Sequence, residues 1–299
     1  MHKWIFCLAA ALFLFLNSNS FANEANDANF AIICTPVANL REKPQHKAEL
    51  CDQEIMGYTV TLLNKHENWY QVKMSDGYTG WMTEGSFFQV DKDKLKEWQD
   101  CKKVRIVKVF AIVYSQPNVS STPVTNVTMN ALLQKVESVF GGWIKVQTPD
   151  GRTGFLKNQD CVEAKEIKLS NDELKKSIIE TSRLMMGAPY LWGGRSSTAC
   201  DCSGFSNTVF RANGIIIGRD SRAQAVQGKE VKYNDDFSNV LPADLIFFGQ
   251  ERVSHVAISM GGKEFIHQSS GVHITSFDPN NPNYEESYRQ KIKAIRRFF

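Results

Sequence analysis

The stretch WYQVKMSDGYTGW, residues 69–81, decides the fold of the first half of this chain, because it recurs 74 residues later as WIKVQTPDGRTGF, residues 143–155. In each copy apolar residues alternate with polar ones, an Asp-Gly pair follows, and a second short run completes the unit. Alternation predicts a strand with one buried face, and Asp-Gly between two such strands predicts the turn of a β-hairpin. We therefore expect two small β-barrels built around matching hairpins.

The sequence around the first hairpin extends this pattern. A loop at 39–44 and an apolar strand at 57–63 precede it. Together these features resemble the bacterial SH3 domain, which implies all-β SH3-like barrels at about 30–92 and, in a more divergent copy, at about 100–165. The Lys- and Asp-rich segment from residue 91 to residue 100 is predicted to be the linker between them.

The third region changes from helical to strand patterns. Ser170 is a predicted N-cap, and apolar residues at helical spacing follow it until Gly187. A second helix is predicted to start at Cys202 and to end at Gly214. Strands are predicted at 244–248, 254–260, 264–269 and 292–298. Helices followed by an antiparallel sheet indicate an α+β domain, which we place at 170–299.

The DCSG motif at residues 201–204 contains the candidate nucleophile, Cys202. At the first turn of a helix the macrodipole lowers the pKa of a thiol, and a neighbouring imidazolium lowers it further. The Asp201 carboxylate acts in the opposite direction unless it caps the helix or binds a cationic group. A cysteine taken alone is more often a buried apolar residue or half of a disulfide, so the assignment depends on a nearby base.

Two histidines downstream of the thiol provide candidates for that base. His255 and His267 lie in consecutive predicted strands. With a two-residue Gly-Gly turn, His255 would pair with Gln268 and the two imidazoles would face opposite sides of the sheet. A three-residue loop with a bulge at Gly262 instead pairs His255 with His267 on one face. We predict this second register, because a base and the group that orients it must share a face.

The same side chains, together with Cys200, have ligand types that suit Zn²⁺. The Cys-x-Cys spacing is tighter than the Cys-x₂-Cys spacing common in zinc sites, so a metal centre is the disfavoured interpretation. We predict no metal and no other cofactor.

Five motifs in the third region occur in sequence as PYLWGG at 189–194, DCSG at 201–204, DLIFF at 244–248, SHVAI at 254–258, and His267. Over about residues 172–299 this series resembles the NlpC-type cell-wall cysteine peptidases. With two SH3 domains ahead of it, the chain further resembles the γ-D-glutamyl-L-diamino acid endopeptidases, also called dipeptidyl-peptidase VI. The resemblance implies a papain-like peptidase domain in which Cys202 is the nucleophile, His255 the general base and His267 the orienting residue.

The resemblance also implies a substrate and a way of binding it. The family cuts peptidoglycan stem peptides between γ-linked D-glutamate and a diamino acid, and it holds their free N-terminal L-alanine amine between the catalytic domain and the first SH3 domain. Matching residues on the catalytic side are Asp201, Ser203, Trp192 and Ser221, and our candidates on the barrel side are Tyr78 and Glu49. The Tyr190 hydroxyl is a candidate for the oxyanion hole, with the backbone N–H at the helix start.

Alternatives exist for these residues and for the chain as a whole. Glu49 also fits a solvated charge, Tyr78 ordinary barrel packing, and Tyr190 a wall of the cleft. A non-catalytic wall-binding protein with a degenerate peptidase domain is the alternative to an enzyme. The intact set of one thiol and two imidazoles argues against it.

The N-terminus has the pattern of an export signal. An apolar run at 4–16 follows His2 and Lys3, and a polar stretch then ends in Ser-Phe-Ala, so we predict a signal peptide at 1–22. The apolar run is too short to span a bilayer, and we predict no stable membrane insertion after cleavage. We expect an exported protein, in the periplasm rather than outside the cell.

Export would place the remaining cysteines in an oxidising compartment. Their positions favour two local disulfides, Cys34–Cys51 and Cys101–Cys161, which leave Cys200 and Cys202 over, although spacing alone does not fix connectivity.

The charge pattern limits the classes of molecule that this protein is expected to bind. A net charge of +3, with both signs spread along 299 residues, leaves no basic block of the kind that follows phosphates. We predict peptidoglycan-derived peptides as partners, no nucleic acid, and a monomer.

Overall fold

The computed structural model describes residues 29–139 and 141–299. The predicted signal peptide at 1–22 lies outside these residues. The described ranges form two seven-stranded sheets, a six-stranded sheet and a two-stranded ribbon. No helix within them has the length and apolar composition of a membrane span.

The first barrel is a seven-stranded sheet with the strand order β3-β2-β6-β5-β4-β1-β7. Its strands are β1 Phe30–Ile33, β2 Val37–Arg41, β3 Leu50–Ile55, β4 Thr59–His66, β5 Trp69–Lys73, β6 Thr79–Thr83 and β7 Phe87–Val90, with a 3₁₀ turn at Glu84–Ser86. The predicted hairpin is β5 and β6, whose alternation buries Val72 and Met82 on one face while the Asp-Gly turn stays at the surface.

The second barrel repeats this plan in the order β10-β9-β13-β12-β11-β8-β14. Its strands are β8 Lys103–Ile106, β9 Phe110–Tyr114, β10 Pro123–Thr128, β11 Leu132–Val139, β12 Trp143–Gln147, β13 Thr153–Lys157 and β14 Cys161–Glu163, with a 3₁₀ turn at Asn158–Asp160. The predicted second hairpin is β12 and β13. Each barrel has its own apolar core.

The segment predicted as a linker is a helix, α1, Lys92–Asp100. The Asp91 side chain caps it by accepting a hydrogen bond from the backbone N–H of Lys94 at 2.8 Å. Trp98 is buried against Ile32 and Val90 of the first barrel, and its indole N–H donates to the Gly57 carbonyl at 2.9 Å. The predicted linker is thus a helix between β7 and β8, and its one buried side chain, Trp98, holds it against the first barrel.

The C-terminal region places helices against an antiparallel sheet of order β17-β22-β18-β19-β20-β21. Its helices are α2 Asn171–Leu184, α3 Cys202–Ala212, α4 Ser221–Ala225 and α5 Glu286–Arg289. Its strands are the ribbon β15 Arg195–Ser196 and β16 Ala199–Cys200, and then β17 Lys229–Glu230, β18 Leu245–Phe248, β19 His255–Gly261, β20 Glu264–Gln268, β21 Val272–Ser276 and β22 Ile292–Arg297. The four predicted strands correspond to β18, β19, β20 and β22, whereas β17 and β21 were not predicted. Helix α3 packs Phe205 and Val209 onto this sheet.

The predicted disulfides are not formed, because the six cysteines of the described residues are all free thiols. The Cys51 thiol donates to the Leu40 carbonyl at 3.3 Å, and the Cys101 thiol donates to the Trp98 carbonyl at 3.2 Å. Cys34 lies beside charged side chains of the second barrel, and the Cys161 thiol points to the carbonyls of its own 3₁₀ turn. Neither the closeness of Cys34 and Cys51 in the sequence nor the positions of Cys101 and Cys161 at the two ends of the second barrel produced a disulfide.

Candidate active site

Cys202 is the first residue of α3, and the structure shows why the helix starts there. Asp201 is the N-cap, and its Oδ1 accepts a hydrogen bond from the Gly204 backbone N–H at 2.7 Å. Gly204 lets the helix approach the preceding loop, since a Cβ at this position would lie 2.0 Å from the Gly194 carbonyl oxygen. The motif thus fixes a thiol, 8% exposed, at a tightly docked helix N-terminus.

The two predicted histidines contact each other. His255 Nε2 lies 2.8 Å from His267 Nδ1, and His267 Nε2 lies 2.9 Å from Thr275 Oγ1. If each imidazole carries its proton on Nε2, His255 donates to His267 and His267 donates to Thr275. That arrangement leaves Nδ1 of His255 unprotonated and able to accept a proton. Thr275, on β21, was not foreseen because its strand was not predicted.

The shared face of the two histidines is confirmed, but the predicted register is wrong. His267 is paired with Ala257, two residues beyond His255, and Gly261 is paired with Glu264. A bulge between Ser259 and Gly261 adds one residue to β19. A tight turn alone would have placed the two histidines on opposite faces of the sheet, and the extra residue returns them to the same face. The imidazoles therefore meet diagonally across the two strands rather than directly opposite each other.

Burial controls the ionisation of these groups. It raises the pKa of the Cys202 thiol to about 11, with Asp201 adding to the increase, although the backbone N–H groups of Val256 and Ser203 act against it. Burial also lowers the pKa of His255 to about 4 and that of His267 to about 2. The expected fall in the thiol pKa is therefore not seen, because desolvation outweighs the N–H groups at the helix start. Thiol and imidazole are both neutral at pH 7.

A cleft of about 620 Å³ opens in front of Cys202, between the first barrel and the C-terminal region. Eight of the predicted site residues line it, namely Glu49, Tyr78, Tyr190, Trp192, Asp201, Cys202, Ser203 and Ser221. Glu42, Cys51, Asp220, Arg222 and Arg252 line it as well and were not predicted. Val253 and Ser254, which precede His255 and strand β19, also line the cleft, whereas His255 and His267 are not among its lining residues.

The barrel-side and catalytic-side candidates meet in this cleft. The Trp192 indole N–H donates to Glu49 Oε1 at 2.6 Å, which joins the 189–194 loop to the first barrel. Burial raises the pKa of Tyr78 to about 12, and Asp220 adds to that rise. Burial likewise raises the pKa of Tyr190 to about 12, with the Cys202 thiolate as the next cause. Both hydroxyls are therefore protonated at neutral pH and able to donate.

The Asp201 carboxylate is held from several sides. Its Oδ2 accepts from the Gly193 backbone N–H at 3.0 Å and from Arg219 Nη2 at 2.8 Å. Its Oδ1 accepts from Ser203 Oγ and from Arg219 Nη1, each at 3.1 Å. Sequence reasoning missed Arg219 although it stands two residues before Ser221, because nothing in the local pattern marks an arginine as buried.

Comparison with known proteins agrees with this architecture. Residues 187–293 match the model of the NlpC/P60 family, 40–87 that of the bacterial dipeptidyl-peptidase SH3 domain and 110–161 that of the bacterial SH3 domain. The γ-D-glutamyl-L-lysine dipeptidyl-peptidase of Bacillus cereus is 30% identical over 79% of this chain and 72% of its own. The chain belongs to the NlpC/P60 family of cysteine peptidases. The predicted enzyme class is thereby confirmed.

Other similarities extend over nearly the whole chain. Dipeptidyl-peptidase 6 of Lysinibacillus sphaericus is 28% identical over 90% of this chain and 99% of its own. The crystal structure of an NlpC/P60 protein from Bacillus cereus superposes with a TM-score of 0.77 at 24% identity, covering 90% of this chain and 99% of that one. The predicted fold, two SH3 domains followed by a papain-like NlpC/P60 domain, is confirmed. The described residues contain no group of three or more His, Cys, Asp or Glu side chains placed to hold a metal ion.

Proposed function

We propose that this protein hydrolyses the bond between γ-D-glutamate and a diamino acid, meso-diaminopimelate or lysine, in peptidoglycan stem peptides whose N-terminal L-alanine is free. The observation that carries the proposal is the cleft itself, which is lined by residues of the first barrel together with Cys202. Two relatives that are named γ-D-glutamyl-L-lysine dipeptidyl-peptidase support it, since each is 30% identical, over 79% and 83% of this chain.

In the proposed reaction Cys202 is the nucleophile and His255 is the general base. Because burial keeps both groups neutral, the thiol proton moves to His255 Nδ1 as the sulfur attacks the γ-carbonyl carbon. His267 orients His255 through the Nε2 to Nδ1 contact, and Thr275 in turn fixes His267. A low pKa keeps His255 unprotonated, and so ready to act as the base, down to about pH 4.

The oxyanion and the leaving group complete the cycle. The backbone N–H at the start of α3 and the protonated Tyr190 hydroxyl are the proposed donors to the developing negative oxygen. Protonated His255 then gives its proton to the amine of the diamino acid, which leaves. A water molecule, deprotonated by the same imidazole, hydrolyses the thioester and regenerates the thiol.

The part of the cleft that the first barrel lines is the proposed site for the substrate ammonium group. Asp201, Ser203, Trp192 and Ser221 on one side and Tyr78 and Glu49 on the other are the proposed binding residues. Carboxylates and hydroxyls accept hydrogen bonds from an ammonium group, and an acylated amine would leave buried acceptors unsatisfied. Glu42 and Asp220 add negative charge to the same cleft.

We also propose the limits 30–92, 100–165 and 170–299 for the three domains, and a monomeric protein. Export, with a periplasmic rather than an extracellular destination, is proposed from the sequence of residues 1–22 and from the wall-derived substrate.

The test is hydrolysis of L-Ala-γ-D-Glu-meso-diaminopimelate, followed by mass spectrometry of the products. The expected products are L-Ala-D-Glu and free diaminopimelate, with the Cys202→Ala variant inactive and the N-acetylated peptide cut at least about 100-fold more slowly. Cleavage by the Cys202→Ala variant would disprove the thiol mechanism. Equal rates on both peptides would disprove the ammonium site.

A further inference from the structure

A buried ionic network joins strand β3 of the first barrel to the loops around Cys202. Asp52, fully buried on β3, accepts hydrogen bonds from Arg195 Nε at 3.0 Å and Arg195 Nη2 at 2.5 Å. The same carboxylate accepts from Arg219 Nε at 2.5 Å. Arg195 also donates to another carboxylate of the first barrel, that of Asp76, at 2.9 Å. One aspartate of the barrel therefore holds two arginines of the NlpC/P60 domain.

Arg219 is shared between the barrel and the N-cap of the nucleophile helix. Its Nε faces Asp52, while Nη1 and Nη2 face the two oxygens of Asp201. Arg219 is 3% exposed, so neither pairing is screened by solvent. One guanidinium is therefore paired with two carboxylates. How strongly Arg219 offsets the negative charge of Asp201 depends on whether Asp52 is also negatively charged.

We propose that Asp52 is a positioning residue of the active site, which acts through Arg219 on Asp201 and thereby sets the reactivity of the Cys202 thiol across the domain boundary. The inference rests on the proposed role of Cys202 as nucleophile. It assigns to the first barrel a contribution to the chemistry of the thiol, in addition to lining the cleft.

The sign of the effect follows from the charges around the thiol. Asp201 raises the thiol pKa and Arg219 lowers it. Loss of the Asp52 charge leaves Arg219 wholly to Asp201, so the field at the sulfur becomes less negative and the thiol ionises at lower pH. Loss of the Arg219 charge has the opposite effect.

Other titratable groups around the thiol come from several elements. They are Cys200 on β16, Tyr190 in the 189–194 loop, Tyr288 on α5, and His255, which precedes Val256 on β19. These groups are the same in every variant below, so differences between variants isolate the Asp52–Arg219–Asp201 path.

Glu54 provides a matched control on the same strand. It lies two residues from Asp52, is equally buried, and pairs with a catalytic-domain arginine, Arg211, at 2.6 Å. Arg211 is in the last turn of α3, at the other end of the helix from Cys202. Glu54→Gln therefore weakens the same domain interface without changing the charge on Arg219 or Asp201.

The experiment measures the pH at which alkylation of Cys202 by iodoacetamide reaches half its maximal rate, with tandem mass spectrometry to separate Cys202 from Cys200. In the full-length protein, Asp52→Asn is expected to lower this pH by about one unit, and Glu54→Gln to leave it within about 0.3 unit of the wild type. Equal shifts in both variants, or no shift in Asp52→Asn, would overturn the proposal.

A second pair of variants keeps the test valid if Asp52→Asn does not fold. Arg219→Gln leaves the Asp52–Arg195 pair intact and is expected to raise the half-maximal pH by about one unit. Adding Asp201→Asn, which can still cap the helix, is expected to reverse that rise. The proposal is contradicted if Arg219→Gln has the same half-maximal pH as the wild type. It is also contradicted if adding Asp201→Asn leaves the raised half-maximal pH unchanged. Alkylation needs no substrate, so this result is independent of whether the proposed peptide is cleaved.

Discussion

The backbones of the two barrels have the same fold, but the two barrels make different contacts. Gly57 and Asn130, which lie 73 residues apart, both have positive φ and follow the third strand of their barrel. Their backbone N–H groups donate to the carbonyls of Ile33 and Ile106, which are again 73 residues apart, each at 2.9 Å. The strand order is also the same. Among the described residues, the first barrel contributes side chains to the lining of the cleft and the second barrel contributes none. The shared backbone fold does not explain this difference.

The difference lies in the side chains that this common backbone carries. At the spacing of 73 residues, Asp52 and Glu54 on β3 correspond to Thr125 and Val127 on β10. The acidic pair binds arginines of the NlpC/P60 domain, whereas Val127 belongs to the core of its own barrel. The first barrel therefore contacts the NlpC/P60 domain through two buried acidic residues of one strand, and the second barrel has no acidic residue at the corresponding positions. The same fold thus carries different contacts according to its side chains.

The hairpin turns show the same divergence. Asp76 of the first barrel accepts a hydrogen bond from Arg195 in the catalytic domain at 2.9 Å. Its counterpart Asp150 pairs within its own hairpin, with Arg152 at 2.8 Å. Arg152 replaces Tyr78 of the first copy and donates to the Cys34 carbonyl of the first barrel at 3.2 Å. The first turn therefore contacts the catalytic domain, whereas the second contacts the first barrel.

The largest effect is expected from breaking the buried pairing of the first barrel. Arg195→Met leaves the Asp52 and Asp76 carboxylates with fewer partners in a buried site, and we expect a loss of about 3–5 kcal/mol in the free energy of unfolding. Arg152→Met in the second barrel removes a largely exposed pairing and is expected to cost about 1 kcal/mol or less. Thermal unfolding of both variants checks this. Similar losses in the two would show that the barrels dock in equivalent ways.

A smaller effect is expected on activity when the cleft loses one hydroxyl. Tyr78→Phe removes a proposed partner of the substrate ammonium, and we expect kcat/KM for the free peptide to fall about 10- to 100-fold. Arg152→Ala, at the corresponding position of the second barrel, is expected to leave kcat/KM unchanged. The comparison uses steady-state kinetics on L-Ala-γ-D-Glu-meso-diaminopimelate. If Arg152→Ala lowers kcat/KM as much as Tyr78→Phe does, the two barrels share the site and our distinction fails.

Local patterns predicted the repeated hairpins and the helix that starts at Cys202, because alternation, Asp-Gly turns and N-caps act over a few residues. The ionic network was missed because its members are far apart in the chain, with Asp52 and Arg219 separated by 167 residues. The bulge in β19 was predicted at Gly262 but lies between Ser259 and Gly261, for a related reason. Two consecutive glycines permit several turns, and packing of the sheet selects among them.

The segments that follow the two barrels also differ, and here we expect the smallest effect. The first barrel continues into α1, whereas residues 164–170 after the second barrel form no regular secondary structure. Asp91→Ala removes the N-cap of α1, which loosens the helix that holds Trp98 against the first barrel, and is expected to cost about 1 kcal/mol. Asp91→Asn keeps an acceptor for the Lys94 N–H and is expected to unfold within a degree or two of the wild type. If Asp91→Ala matches Asp91→Asn in thermal unfolding, the cap adds nothing measurable to the stability of the first barrel. The packing of Trp98 on Ile32 and Val90 would then hold α1 in place without the cap.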